Sequence, residues 1–326
     1  MLKFPESHKN FERVIFLTSA RNEPKDSPLK ILVCCHKSCE LPPLDDGILL
    51  PIHAGKESSN ADLHMQGDNE VNGQPCDNIS SKNNNWCELT VIYWAWKNIR
   101  KVYPNVKYVG VSHYRRYFSF SDQKTRRRDP EEIKNYRVDL RKAIDILESG
   151  KIIVPTKNPG SLPLAIGYCM GHLCTDYYAF RDVVKNDYPD YFPAFEKIFE
   201  RGNEFYAMNM FVMKYDDFVK YCEWLFGILF KTAEKVDPHN DEYHRRAFGY
   251  ISERLFNVWL VKNRKKTHSL RVCSYREPEN PTAFRRNIFT RAAGFFVKGF
   301  SYVLDKVILK MIVMRYKYIE KLRARF

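Results

Sequence analysis

Apolar residues along this chain recur with two periods. Ile31-Leu32-Val33-Cys34-Cys35 is an unbroken apolar run of strand length, the pattern of a strand covered on both faces, and it stops at His36-Lys37. Ile48-Leu49-Leu50-Pro51-Ile52 repeats the pattern and runs into His53-Ala54-Gly55. Residues 56–85 are then dominated by Ser, Asn, Asp, Gly and Lys, a loop long enough to be functional. Leu89, Ile92, Trp96, Ile99 and Tyr103 return at helical spacing; with Asn85 as cap and Glu88 completing a capping box, they predict a helix over about 86–103 that Pro104-Asn105 stops. The run Tyr108-Val109-Gly110-Val111 predicts a strand over 107–112, followed by a helix near 130–149 and a strand at Lys151-Ile152-Ile153-Val154-Pro155. Helices are also expected over 216–230 and 242–260.

Strand, helix, strand, helix, strand is the order of an α/β domain with a mostly parallel sheet flanked by helices. One Rossmann-like domain over 29–275 is expected, with a polar arm over 1–28 before it and a basic helical tail over 276–326 after it. Ligands of such sheets bind beyond the carboxyl ends of the strands. His36 and the cluster His113-Tyr114-Arg115-Arg116-Tyr117 stand at two of those ends, so the polar residues close the strands where a site begins.

Charge adds a partner class. Lys and Arg outnumber Asp and Glu by 53 to 39, a formal +14, which points to an anionic partner. Residues 281–326 alone carry eleven basic and two acidic side chains. On a helical projection Lys298, Lys306, Lys310, Lys317 and Lys321 fall opposite Phe296, Phe300, Leu304, Ile308 and Met311, and charges interrupt each apolar run before it reaches spanning length. That pattern predicts an amphipathic helix lying on an anionic membrane surface. Nine cysteines without a C-x-x-C pair signal neither a zinc ribbon nor a disulfide framework. The start, MLKFPESHKNFERVIF, lacks the apolar core of a secretory signal, so the expected location is cytoplasmic, peripheral on the inner face of the membrane.

Five blocks, PIHAGK, DNISSKNNNWCELTVIYWAWKN, VSHYRRYF, MNMFVMKYDDFVKYCEWLF and FGYISERLFNVWL, resemble in this order the bacterial capsular and exopolysaccharide-biosynthesis glycosyltransferases catalogued as the domain of unknown function numbered 4422. The resemblance covers roughly 29–262. It implies a fold similar to the type-A glycosyltransferases and transfer of a hexose, galactose or galactofuranose among them, from a UDP-sugar donor to a lipid-linked glycan acceptor.

Such transfer needs stabilisation of the leaving diphosphate, alignment, and, for single displacement, a base for the acceptor hydroxyl. Type-A transferases commonly hold a divalent cation, Mg or Mn, on an Asp-x-Asp motif, and this chain has none. Arg115, Arg116 and His113 are therefore expected to bind the diphosphate, with Tyr114 or Tyr117 donating to it or stacking on the base. Asp68, Asp77 and His113 are the residues a cation would recruit if they converge. Asp77, Asn78 and Lys82 lead into an expected helix N-terminus, which favours anions, and are further donor candidates. His53 and Gly55 would border the nucleoside. Asn209, a lone amide among apolar neighbours, resembles the residue that presents an amide to the sugar. His172, Asp176 and Glu253 are the candidate bases. Two other classes fit less well: an inactive assembly factor, kept open by the missing Asp-x-Asp, and a nucleic-acid-binding protein, which lacks any recognisable motif.

Overall fold

The structure, a computed structural model, describes residues 27–121, 127–128, 130–160, 162–236 and 243–275. The expected arm over 1–28, except for Ser27 and Pro28, and the expected tail over 276–326 lie outside the described residues. Strand β1 (Leu29–Cys35) pairs in parallel with β2 (Leu49–His53) on one side and β3 (Tyr108–His113) on the other. β6 (Phe211–Lys214) enters antiparallel between β3 and β5 (Lys151–Pro155), and β7 (Lys266–Tyr275) runs parallel to β5. The short strand β4 (Arg116–Ser119) folds back from the end of β3, with His113 opposite Arg116, and pairs with the second half of β7. This is a mixed α/β fold and not the mostly parallel sheet expected: β1, β2 and β3 are parallel as the apolar runs suggest, whereas β6 and β4 are each antiparallel to both of their neighbours.

Alternation along β1 builds two cores. Leu32 and Cys34 face one hydrophobic cluster with Val109 and Val111 of β3, while Leu29, Ile31, Val33 and Cys35 face another with Tyr117, Phe118 and Leu147. The first cluster is roofed by α1 (Leu89–Val102), α4 (Cys174–Asp187), α5 (Tyr215–Ala233) and α6 (Ala247–Lys262); the second is closed by α2 (Leu140–Glu148). α3 (Leu164–Gly171) precedes α4. Each aliphatic side chain buried in β1 contributes about 1.5–3 kcal/mol. Lys30 is also buried: its ammonium donates to the Gly47 carbonyl at 2.6 Å and stands 4.4 Å from the Tyr103 ring centroid.

The helix expected over 86–103 is two pieces. A helical turn, Asn83–Trp86, ends at Cys87, whose φ of 51° is left-handed, and α1 starts only at Leu89. Asn83 fixes the break: its Nδ2 donates to the Cys87 carbonyl at 2.7 Å and to Thr90 Oγ1 at 3.1 Å. Trp86 gains from it, packing at 3% exposure against Phe248 with ring centroids 4.8 Å apart. Asn85 is thus no cap, and Glu88 makes no capping bond; its side chain is used elsewhere. The helix expected near 130–149 starts with a 3-10 stretch, Pro130–Asn135, and becomes α-helical only after Asp139, whose side chain accepts from Lys142 N.

β3 and β6 approach closely because residue 110 is glycine. A Cβ there would lie 2.9 Å from Val212 Cγ2 and 3.1 Å from both Ile31 Cγ1 and the Phe211 carbonyl oxygen. The backbone oxygen belongs to the sheet ladder and has nowhere to move. Gly110→Ala should destabilise the fold by about 1–3 kcal/mol, read as a lower urea midpoint at unchanged slope.

Candidate functional site

The carboxyl ends of β1, β2 and β3 open into a cavity of about 430 Å³. Cys34 and His36 line it from β1, Ala54 from the end of β2, and His113, Tyr114, Arg115 and Arg116 from the β3–β4 turn. Asn83, Asn84, Cys87 and Glu88 come from the kink before α1, Met208 from the turn before β6, and Arg245, Arg246 and Glu253 from the start and second turn of α6. Four guanidinium groups and two carboxylates therefore share one hollow.

The wall is organised by a two-residue turn. Met208 and Asn209 both adopt left-handed backbone, φ 74° and 49°, an uncommon conformation for methionine. The Met208 carbonyl accepts from His113 Nε2 at 2.6 Å, and its N–H donates to Glu253 Oε1 at 3.0 Å. A carbonyl cannot donate, so His113 carries its proton on Nε2. Asn209 Nδ2 donates to Glu88 Oε1 at 2.6 Å, Ser252 Oγ at 2.9 Å and the Gly249 carbonyl at 3.2 Å.

The electrostatics divide by sign. Loss of solvation holds His36 and His113 below the usual histidine value; Lys37 and Arg115 add to this at His36, and Arg116 and Arg246 at His113, where Glu88 and the Met208 carbonyl pull the other way. Glu253 moves up to about 7, first through burial and then through Glu88, against the pull of Arg254, the Met208 N–H and Arg116. Burial also raises the Cys87 thiol to about 11, despite Arg246 Nε at 3.4 Å from its sulfur. Tyr114 is 6% exposed with no hydrogen-bond partner on its hydroxyl among the described residues, and its ring meets His36 edge-on and the Arg115 guanidinium at 4.7 Å from the centroid.

Of the residues singled out in the sequence, His36, His113, Tyr114, Arg115, Arg116 and Glu253 converge on the cavity. The others stand off its wall for identifiable reasons. Asn209, at 2% exposure, turns its amide inward to hold Glu88 and α6. Gly55 provides a left-handed turn, φ 72°, whose missing Cβ leaves room for Asn83. Asp77 accepts from the Tyr93 hydroxyl at 3.0 Å, and Asn78 closes its own turn by accepting from Ser80 N at 2.9 Å. Lys82 is exposed ahead of the helical turn. His53 is buried at the end of β2 with neither ring nitrogen hydrogen-bonded. His172 is stacked on Tyr250 and Tyr243, centroids 4.2 and 5.3 Å away, and is pushed down to about 4 by burial first, then by Arg254 and His244. Asp176 is buried in the first turn of α4.

The convergence of Asp68, Asp77 and His113 does not occur: Asp68 is fully buried, accepting from Gly55 N, Lys56 N and the Ser80 hydroxyl. Among the described residues no three His, Cys, Asp or Glu side chains cluster as a metal-holding group.

Residues 30–264 match the family model described as Domain of unknown function (DUF4422). The chain belongs to this family. Every cavity-lining residue falls inside the matched span. Among solved structures, the DUF4422 chain is similar to one titled WbbM bifunctional glycosyltransferase, apo structure, at 31% identity and a TM-score of 0.67. The match covers 76% of this chain and 45% of that one, so the chain spans less than half of the solved relative. No curated protein matches it.

The shift at Glu253 has a consequence for stability. The native chain retains this proton up to about pH 7, whereas the unfolded chain releases it near the usual glutamate value. Below the unfolded value both states hold the proton and the stabilisation is complete; it is lost as pH rises to 7 and is level above. Glu253→Gln keeps an acceptor for Met208 N–H and should remove this decline of about 2–3 kcal/mol, measured as unfolding free energies between pH 5 and pH 8.

Proposed function

We propose that this DUF4422 chain is a glycosyltransferase that moves a hexose from a UDP-sugar to a lipid-linked oligosaccharide, on a fold of the type-A kind. The observation that carries the reading is the cavity itself: Arg115, Arg116, Arg245 and Arg246 border the same hollow as Glu253, at the carboxyl ends of the parallel strands β1, β2 and β3. The similarity to a solved glycosyltransferase supports the reaction class. The family resemblance favours galactose or galactofuranose as the sugar.

In this reading the arginines take the diphosphate. A unit charge about 4 Å from a phosphate oxygen contributes on the order of 4 kcal/mol at an effective dielectric near 20, before desolvation is subtracted. Paired guanidinium donors also fix the geometry of the leaving group. Tyr114 supplies a hydroxyl that has no hydrogen-bond partner among the described residues. As the acceptor oxygen bonds to the anomeric carbon, the bond from that carbon to the diphosphate oxygen breaks. The hydroxyl proton passes to Glu253, and the arginines receive the charge left on the nucleoside diphosphate. A carboxylate poised near 7 suits a base working at neutral pH.

Residues 281–326 would bring this site to lipid-linked substrate by lying on the inner, anionic face of the membrane, as their alternation of basic and apolar residues implies. Among the described residues no helix is long and apolar enough to cross a membrane.

Four measurements test the proposal. Arg115→Ala and Arg116→Ala should each weaken UDP binding in titration calorimetry by about 10- to 100-fold, the value of one charge-assisted hydrogen bond. Unchanged binding and turnover in both would remove the diphosphate assignment. Glu253→Gln should leave UDP binding intact while lowering transfer by about 10²- to 10⁴-fold. With the native residue, the rate should climb as pH rises through about 7, because the base must first lose its proton. Deleting 281–326 should abolish sedimentation with anionic vesicles, and unchanged sedimentation would sink the membrane assignment.

A further inference from the structure

Glu88 has no role in the proposal so far, yet it shares the cavity wall with Glu253. The two arrive from different elements, Glu88 from the N-cap of α1 and Glu253 from α6, and they grip consecutive residues of one turn. Glu253 Oε1 takes the Met208 N–H at 3.0 Å, and Glu88 Oε1 takes the Asn209 side-chain amide at 2.6 Å. Asn209 has little freedom to release it, since the same nitrogen also reaches Ser252 and Gly249 on α6 and the residue is 2% exposed. The N-cap position gives Glu88 a second support, because the positive end of the α1 dipole favours a carboxylate there.

We propose that Glu88 is a positioning residue for the acceptor-activating base: anchored by Asn209, it holds a second negative charge on the cavity wall it shares with Glu253, so that the ionised Glu253 binds the acceptor's proton more tightly. The inference rests on the reading of Glu253 as base and deepens it. The charged groups that bear on Glu253 are Glu88, which opposes its ionisation, and Arg254 and Arg116, which favour it. Glu88 is the one acid among them, and without it burial alone would resist the two arginines. The anchoring also ties the base to the fold, since whatever moves the Met208–Asn209 turn moves both carboxylates together.

The test compares the full chain with Glu88→Gln, Glu253→Gln and the double variant. Unfolding free energies give the coupling between the two sites. The coupling should be present at pH 8, where Glu253 has lost its proton, and should shrink toward zero at pH 5, where Glu253 holds it. A coupling that does not change with pH overturns the proposal. Carbon-13 glutamate NMR of the unsubstituted protein, with the Glu253 signal assigned by its loss in Glu253→Gln, covers the case in which Glu88→Gln fails to fold: a Glu253 carboxyl that titrates in the ordinary glutamate range also overturns it. In transfer assays the rising limb of the pH profile should move to lower pH in Glu88→Gln. If the couplings behave as expected but Glu253→Gln transfers sugar at the native rate, Glu88 still tunes Glu253 and the assignment of Glu253 as base is what fails.

Discussion

The left-handed turn at Met208 and Asn209 is the constraint on which the site depends. A methionine with φ of 74° and a neighbour at 49° cost on the order of 1–3 kcal/mol each in backbone strain. Hydrogen bonds at about 1 kcal/mol apiece, more where a carboxylate is involved, offset that cost only if several converge. Here five contacts do: His113 donates to the Met208 carbonyl, the Met208 N–H donates to Glu253, and the two protons of the Asn209 amide are shared among Glu88, Ser252 and Gly249. They join the end of β3, the start of α1 and the second turn of α6 through two residues. Released from any one of these elements, the turn would have fewer bonds to set against its strain, so the cavity wall is stiff as a unit.

Stiffness matters because the charges in the cavity oppose each other. Four arginines near two buried-side carboxylates would collapse into ion pairs if the side chains were free, and the groups would then be unavailable to a ligand. Hydrogen bonds to backbone and amide donors give the carboxylates partners that do not neutralise them. Arg246 is likewise directed to the Cys87 sulfur, a weak acceptor, and Arg115 to the face of Tyr114. Such weak partners hold a guanidinium in place at little cost when an anion arrives. Burial is the main reason His36 and His113 disfavour a proton, and the cations beside them, Lys37 and Arg115 at His36 and Arg116 and Arg246 at His113, add to it.

The sequence made the scaffold legible because burial on both faces writes itself as continuous apolar runs. The strands beginning at Leu29, Tyr108 and Lys151 were expected within a residue or two of where they lie. Arg115 and Arg116 were visible for the same reason, as polar residues closing such a run. β6 and β7 were less visible: the direction of a four-residue strand is set by its partners, and Lys266–Tyr275 alternates polar and apolar residues without a turn signal. The helix start at 86 failed because side-chain competition outweighed periodicity, with Asn83 capturing the Cys87 carbonyl.

Glu88 and Asn209 show why the site itself was only partly readable. Each was noticed, Glu88 as a cap and Asn209 as a ligand for sugar, and each turned out to be the other's partner across 121 positions. Local spacing can specify a capping box, because cap and carboxylate lie three residues apart on one helix. It carries no information about an amide that reaches the same carboxylate from a turn far along the chain. Arg245 and Arg246 had a signal of the right kind, a tandem of cations ahead of an apolar helix like the tandem that follows β3. What the sequence lacked was the reason to bring the two tandems together, and the strained turn between α6 and β3 supplies it.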